Sequence, residues 1–368
     1  MQPGPQATPP LRDALGEREL LRAVREDGSV DPAFRSALAY APVLYRHMIA
    51  LRLVSARMID LQRTEKIAFH SSCFGEEAVI AGAVLAAREG DWIFPGRREW
   101  GAAIVRGLPI AAYVHHAFGS AADPAKGHSS PDHPPARKYR VAPASGVAGA
   151  HVLQAVGAAW AARIAKHDVA AIAIFGDAAN SNGDLHNALN FAGVFKPGCV
   201  FVCREDGRAP SLRTQERAIA YGLACARVDG SDALAVFGVV RAALARAALG
   251  QGATLIEAVT TPLTPKNGVG GIADDAFPRG AAELLRLGDT DPLSRLRRAL
   301  ERETLLGSEP RAAEEAMLRE IRSAIDAAVA DALTAAPPAR STIFDDVYAE
   351  VPAHLAAQRA QKESSKWR

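Results

Sequence analysis

IAIFGDAANSNGDLHNALN, Ile172 to Asn190, is the stretch that decides the fold. An apolar run ends at Phe175, a turn rich in glycine and asparagine follows, and LHNALN resumes with apolar residues at helical spacing. Strand, turn and helix succeed one another there. The turn holds one acid, Asp177, between Gly176 and Ala178. A carboxylate in that place has two uses: it caps the turn, as Asp184 would cap the helix, or it grips a hard cation.

Outward from that stretch the alternation repeats. Ahead of it, GAHVLQAVGAAWAARIAK is a small-residue helix leading into the buried strand VAAIAIFGD. Behind it come the helix LHNALNFAGVF, the strand GCVFVCRED, the helix RTQERAIAYGL and the strand ACARVDG. A long helix through Leu234 to Leu249 and the strand ATLIEAVTT complete the series. Apolar strands alternating with helices predict an α/β fold, a parallel sheet with helices on both faces. In such a sheet ligands bind beyond the carboxyl ends of the strands, so the loops after Phe175, Cys203 and Thr260 matter most.

Helical spacing also runs from Ala41 to Arg88, as in APVLYRHMIALRLVSARMIDLQ. Gly119 to Ser145, dense in Ala, Pro, His and Lys, reads as a long functional loop or lid between regular elements. Beyond Asp289 the chain turns helical and charged, as in EEAMLREIRSAIDAAVADAL, a solvated helix face. These shifts divide the chain into an N-terminal tail and arm (1–40), a main domain (41–290) and a C-terminal helical extension (291–368). Residues 1–12, rich in Pro and Gln, are expected to be disordered.

Hydrophobic residues make up 49% and charged residues 23% of the 368 positions, which places the chain among soluble globular proteins with a well-buried core. A formal charge of only +2 gives no strong field towards nucleic acid or an anionic membrane. The N-terminus has no apolar signal core, and no apolar run is long enough for a bilayer. Cys73, Cys199, Cys203 and Cys225 lack metal-ligand spacing, and the strand CVFVC puts Cys199 and Cys203 on one face as small hydrophobes. A core of this size has no need of disulfides, so the expected location is a reducing cytoplasm.

Asp177 follows one strand directly and Asp206 the next. Two carboxylates at adjacent strand ends can converge on a divalent cation that keeps coordination sites for a phosphate ligand. The small residues of GDAANSNG let backbone N–H groups approach an anion at the following helix N-terminus. FGDAANSNGDLHNALNFAGVF followed by CREDGRAPS then resembles the thiamine diphosphate motif, GDG and, further on, NN. FGEEAVIAGAVLA, GDWIFPGRREWGAAIVRGLP, DPAKGHSSPDH, QAVGAAWAA, RAIAYGL, RVDGSDALAV, ATLIEAVT and FDDVYAEVPAHL are similar, in order, to stretches of one family. It is the alpha subunit of the thiamine-dependent 2-oxo acid dehydrogenases, the branched-chain type most closely, and the similarity spans residues 40 to 357.

The resemblance implies a thiamine diphosphate-binding fold and that cofactor, with magnesium, held where this chain meets a separate beta chain, usually as two alpha and two beta chains (α₂β₂). The alpha chain supplies the diphosphate and metal half. The beta chain supplies the groove for the aminopyrimidine and the glutamate that activates it. The whole enzyme decarboxylates a 2-oxo acid substrate and passes the acyl group to a lipoyl arm on an acyltransferase core. Carried over by position, Arg97, Arg98, Gly146, Ala148, Gly176, Asp177, Ala178, Asp206 and Arg208 face the cofactor. Asp177, Asp206 and the backbone carbonyl of Arg208 hold the metal.

Several of these positions depart from the family. Ala178 replaces the third residue of GDG, and its methyl group is tolerable only if φ stays negative. Glu205 and Asp206 replace NN, Arg208 replaces an aromatic residue, and Arg97 replaces a tyrosine. Arg97 and Arg208 either reach the diphosphate with their guanidinium forks or lie at the surface beside a carboxylate such as Glu99 or Glu205. The two side chains of the branched-chain potassium site have become Ala150 and His151. Lys266 in TPKNGVGGIADD stands where the family carries a histidine beside the thiamine, while His133 matches the histidine of the lid and His128 replaces a lid arginine. The catalytic candidates are therefore Lys266 and His133, and Lys126 is expected to bridge the lid to an acid. Two functions follow: a divergent but active alpha subunit, or a catalytically reduced paralogue that serves a beta subunit as a structural or regulatory partner.

Overall fold

The computed structural model describes residues 20–144, 146–206, 214–261, 263 and 291–364. Lys266, Arg208 and the first twelve residues lie outside these. The long helical pattern ahead of the sheet resolves into α1 (Ala41–Arg63) and α2 (Glu77–Ala86). Between them the chain leaves the helix at Thr64 and Glu65, the latter at φ +58°, and just ahead of α2 Gly75 takes φ +84° where a Cβ would meet the Thr261 carbonyl oxygen at 2.6 Å. Next come β1 (Trp92–Pro95), α3 (Gly101–Val105) and α4 (Ile110–Phe118). The expected alternation then runs as α5 (Ala150–Ile164), β2 (Ala171–Gly176), α6 (Gly183–Phe195) and β3 (Cys199–Asp206). It continues as α7 (Thr214–Ala220), β4 (Ala224–Asp229), α8 (Ala233–Ala248) and β5 (Thr254–Thr260).

The five strands form one parallel sheet in the order β1-β2-β3-β5-β4. Sequence reading missed β1, a four-residue strand that ends in proline. A proline costs no ladder there because β1 is an edge strand. On one face, α5, α6 and α7 pack Val152, Val156, Leu185, Leu189 and Ala218 against Phe175, Phe201 and both Cys199 and Cys203. On the other, α1, α2 and α8 cover Ile172, Ile174, Val200, Val202 and Ile256. All four cysteines are buried free thiols. No helix among the described residues is long and apolar enough to cross a membrane.

Both sheet edges are covered. At β4, Leu21 N–H donates to the Arg227 carbonyl and the Leu21 carbonyl accepts from Asp229 N–H, each at 3.0 Å. At β1, Ile93 forms a parallel bridge with Val141 of the returning lid. The arm around Leu21 is fastened by Asp232, fully buried at the start of α8. One carboxylate oxygen accepts from Ala23 and Val24 N–H at 2.8 and 2.7 Å, and the other caps α8 through Ala235 N–H at 3.0 Å. Asp232→Ala strands three amides and should lower the unfolding free energy by about 3 kcal/mol in a urea titration.

The C-terminal helices pack back onto the same core. Buried Arg52 of α1 pairs with Glu77 of α2 at 2.8 Å and with Asp291 at 2.7 Å, and Asp291 caps the helix Pro292–Arg302. The charged helix Pro310–Thr334 turns Ile321, Ile325, Ala328 and Val329 inward and leaves most of its charges in solvent. The lid is docked on the segment that follows: Ala121 N–H donates to the Ala336 carbonyl at 2.7 Å, and Lys126 pairs with Asp346 at 2.5 Å.

Candidate active site at the carboxyl ends of the sheet

β2 ends at Gly176, and Asp177 opens a 3-10 turn, Asp177–Ser181, that leads into α6. Asp177 is half-buried and Ala178 exposed. Ala178 keeps a negative φ, so its methyl group meets no left-handed backbone strain. Gly149, just before α5, does need to be glycine: it takes φ +86°, and a Cβ would meet the Ala179 Cβ at 3.2 Å. That close approach presses the N-terminus of α5 against the turn. Asn182 clasps the two together, donating to the Ala148 carbonyl at 2.6 Å and accepting from Asp184 N–H at 2.9 Å. The helix cap is therefore Asn182; Asp184 lies in the first turn. Gly146, Val147 and Ala148 are exposed, and no side chain among the described residues caps α5. Of its first amides, Ala150 N–H donates to the Val147 carbonyl at 3.3 Å and Val152 N–H to the Gly149 carbonyl at 3.0 Å, so what the helix offers an anion is mainly its positive dipole end.

β3 runs past β2: Gly176 pairs with Arg204, whereas Asp206 lies opposite Thr260 of β5. Asp206 is buried at the strand's end, and Asn180 holds Thr214 at 2.9 Å, pinning the start of α7 to the turn. The Cys203 thiol beneath is pushed up to about 12 by burial, against the Thr214 hydroxyl and helped by Glu257, Asp177 and Glu205. Cys203 is thus no nucleophile near neutral pH. Among the described residues no cluster of three or more His, Cys, Asp or Glu side chains could hold a metal. The expected oxygen set has two carboxylates and a third donor from Arg208.

Sequence reading also missed Arg204. Its buried guanidinium donates to Glu99 and to Glu76, both buried. Arg98 joins them, pairing with Glu76 at 3.2 Å and donating to the Ser72 carbonyl at 3.0 Å. The available signal was CRED itself, since charges ending a buried strand need buried partners. Beside this network His151 donates from Nε2 to the Ile174 carbonyl at 2.9 Å, while its buried Nδ1 has no hydrogen-bond partner among the described residues. Burial holds this imidazole below its ordinary pKa, so it is neutral.

Arg97 points elsewhere. Its carboxylate partner is neither Glu99 nor Glu205 but Asp132 of the lid, at 3.4 Å, and its guanidinium lies over the Phe69 ring at 4.6 Å. Asp132 also accepts from the Ser71 hydroxyl at 3.0 Å. Next to it, half-buried His133 keeps a buried Nε2 with no hydrogen-bond partner among the described residues, and burial, then Arg97 and His116, depress its pKa. His115 and His116 are packing residues, bonded to Ser120 and to Asp123 at 2.8 and 2.9 Å.

Burial pushes the Asp132 carboxyl up to about 6, against Ser71 and Arg97. The folded chain therefore holds this proton more tightly than the unfolded chain. Its stabilising share is complete below about pH 4 and is lost as pH rises through about 6. Thermal unfolding followed across that range should show the falling contribution, and Asp132→Asn should flatten it. An unchanged slope in the variant would refute the assignment.

Residues 45–340 match the family described as dehydrogenase E1 component. The chain is 35% identical over 318 residues to the 2-oxoisovalerate dehydrogenase subunit alpha of Bacillus subtilis (strain 168), covering 83% of this chain and 94% of that one. It is 36% identical over 328 residues to the 3-methyl-2-oxobutanoate dehydrogenase subunit alpha of Mycobacterium tuberculosis, covering 86% and 85%. The mitochondrial 2-oxoisovalerate dehydrogenase subunit alpha of Mus musculus is 31% identical over 353 residues, with 92% and 78% covered.

Proposed function

This chain belongs to the dehydrogenase E1 component family, and from that premise we propose that it is the alpha subunit of a thiamine diphosphate-dependent branched-chain 2-oxo acid dehydrogenase. The observation that carries the proposal is the match to a curated alpha subunit over 94% of that protein's length. Magnesium, the pairing of two alpha with two beta chains and the lipoyl-bearing acyltransferase core are further parts of the proposal. The four buried free thiols suit a cytoplasmic site of action.

The local chemistry supports this reading. Carboxylate oxygens at Asp177 and Asp206 suit a hard cation, and the uncapped start of α5 beside Gly146 and Ala148 suits a diphosphate. Asp177, Asp206 and the Arg208 carbonyl would hold magnesium. The backbone at Gly146, Ala148, Gly176 and Ala178, with Arg98, would face the cofactor. Thiamine diphosphate supplies the electron sink for decarboxylation. His133 offers a neutral imidazole at the lid, and Lys266 would contact the substrate from the loop after β5. The negative φ of Ala178 weakens the alternative of a catalytically reduced paralogue, because that substitution leaves the backbone of the turn undisturbed.

The test is co-expression with a beta chain, followed by turnover of 3-methyl-2-oxobutanoate with an artificial electron acceptor. Turnover that needs both chains, magnesium and thiamine diphosphate is the expected result. A stable complex that turns over no 2-oxo acid would overturn the reading in favour of a structural or regulatory partner.

A further inference from the structure

We propose that Arg97 takes the carboxylate of the 2-oxo acid substrate, with Asp132 as its positioning residue; the inference rests on the function proposed above. Beside the carboxyl ends of β1 and β3, the neighbouring arginines Arg98 and Arg204 turn inward. The Arg98 and Arg204 side chains are only 12% and 8% exposed, and both serve Glu76. Arg97 is 45% exposed, at the carboxyl end of β1, the same end as Asp177.

Its orientation is fixed from two sides. The Phe69 ring lies under the guanidinium, and Asp132, whose own carboxylate is held by Ser71, pairs with Nε. No hydrogen bond from the outer N–H groups reaches a described residue. A guanidinium held in this way loses little further freedom on binding, and its outer fork matches a carboxylate in the two-point manner that a lysine cannot.

The neighbouring group narrows the ligand class. His133 follows Asp132 directly and has a buried Nε2 with no hydrogen-bond partner among the described residues. A cation beside a neutral imidazole suits a molecule with a carboxylate next to a carbonyl: Arg97 takes the carboxylate, and His133 N–H donates to the 2-oxo oxygen. Decarboxylation removes the charge that Arg97 holds. The contact therefore belongs to the bound substrate more than to the transition state, and its loss should raise KM more than it lowers kcat.

The experiment uses the complex with its beta chain, magnesium and thiamine diphosphate. It reads two quantities: equilibrium binding of isovalerate, a carboxylate with no 2-oxo group to lose, and steady-state turnover of 3-methyl-2-oxobutanoate. Arg97→Met should raise the isovalerate Kd and the substrate KM by about 10- to 100-fold, the worth of a charged hydrogen-bonded contact. Half-saturation by thiamine diphosphate should stay unchanged, Arg97→Lys should recover part of the loss, and Asp132→Asn should raise KM by a smaller factor. Unchanged Kd and KM in Arg97→Met, absence of isovalerate binding by the parent complex, or a loss of thiamine diphosphate affinity in their place would overturn the proposal. If isovalerate binds through Arg97 but no 2-oxo acid turns over, the assigned reaction fails while the carboxylate site stands.

Discussion

Arg204→Met should lower the unfolding free energy by about 3–5 kcal/mol, the usual result of deleting one partner of a buried ion pair. The guanidinium lies between Glu76 and Glu99, which are 2% and 0% exposed. Methionine fills much of the same volume, so packing changes little and the loss is electrostatic. Glu99 would lose its ionic partner outright, and Glu76 would keep only Arg98. Adding Glu99→Gln should return much of the loss, because the uncompensated charge is removed with its partner. Urea unfolding of the three proteins measures all of this. A loss below about 1 kcal/mol in Arg204→Met would mean that water reaches the cluster.

Asp177→Ala should abolish magnesium-dependent binding of thiamine diphosphate while leaving the fold intact. The side chain is half-buried on a turn, outside either apolar core, so thermal unfolding should move by only a few degrees. A cation site built on two carboxylates and a carbonyl loses half its charge with this one residue. Disturbing even the supporting residues around a metal typically costs about 10- to 100-fold in affinity, so removing a ligand should exceed that. Asp177→Asn separates the two uses of the acid. Asparagine caps a turn as well as aspartate does but carries no charge, so it should bind cofactor nearly as poorly as the alanine variant and unfold like the parent. Calorimetric titration of thiamine diphosphate with magnesium into the assembled complex reads the outcome. Unaltered binding in both variants would reduce Asp177 to a capping residue.

The alternation from α5 to β5 was legible because strands buried on both faces must be apolar throughout, and turns between them must be polar or flexible. The acid after β2 was legible for the same reason: a carboxylate directly behind a buried strand needs a purpose. β1 was hidden by its length and its proline. The partners of Arg204 were hidden by distance along the chain, since Glu76 and Glu99 lie 128 and 105 residues away. The partner of Arg97 was misjudged because local sequence offers Glu99, whereas the lid returns from further on to present Asp132. Sequence shows that a buried charge needs a counter-charge. Only the folded path shows which one arrives.

The bonds at Leu21 and Ile93 have a consequence beyond the fold. A sheet with a bare flank invites a second molecule to add its own strand, the route by which many β-containing chains grow into fibres. Here both flanks are already bonded, one by the chain's own arm and one by its lid. At these positions the backbone groups that a second strand would need are already taken, so strand addition there has first to displace the arm or the lid.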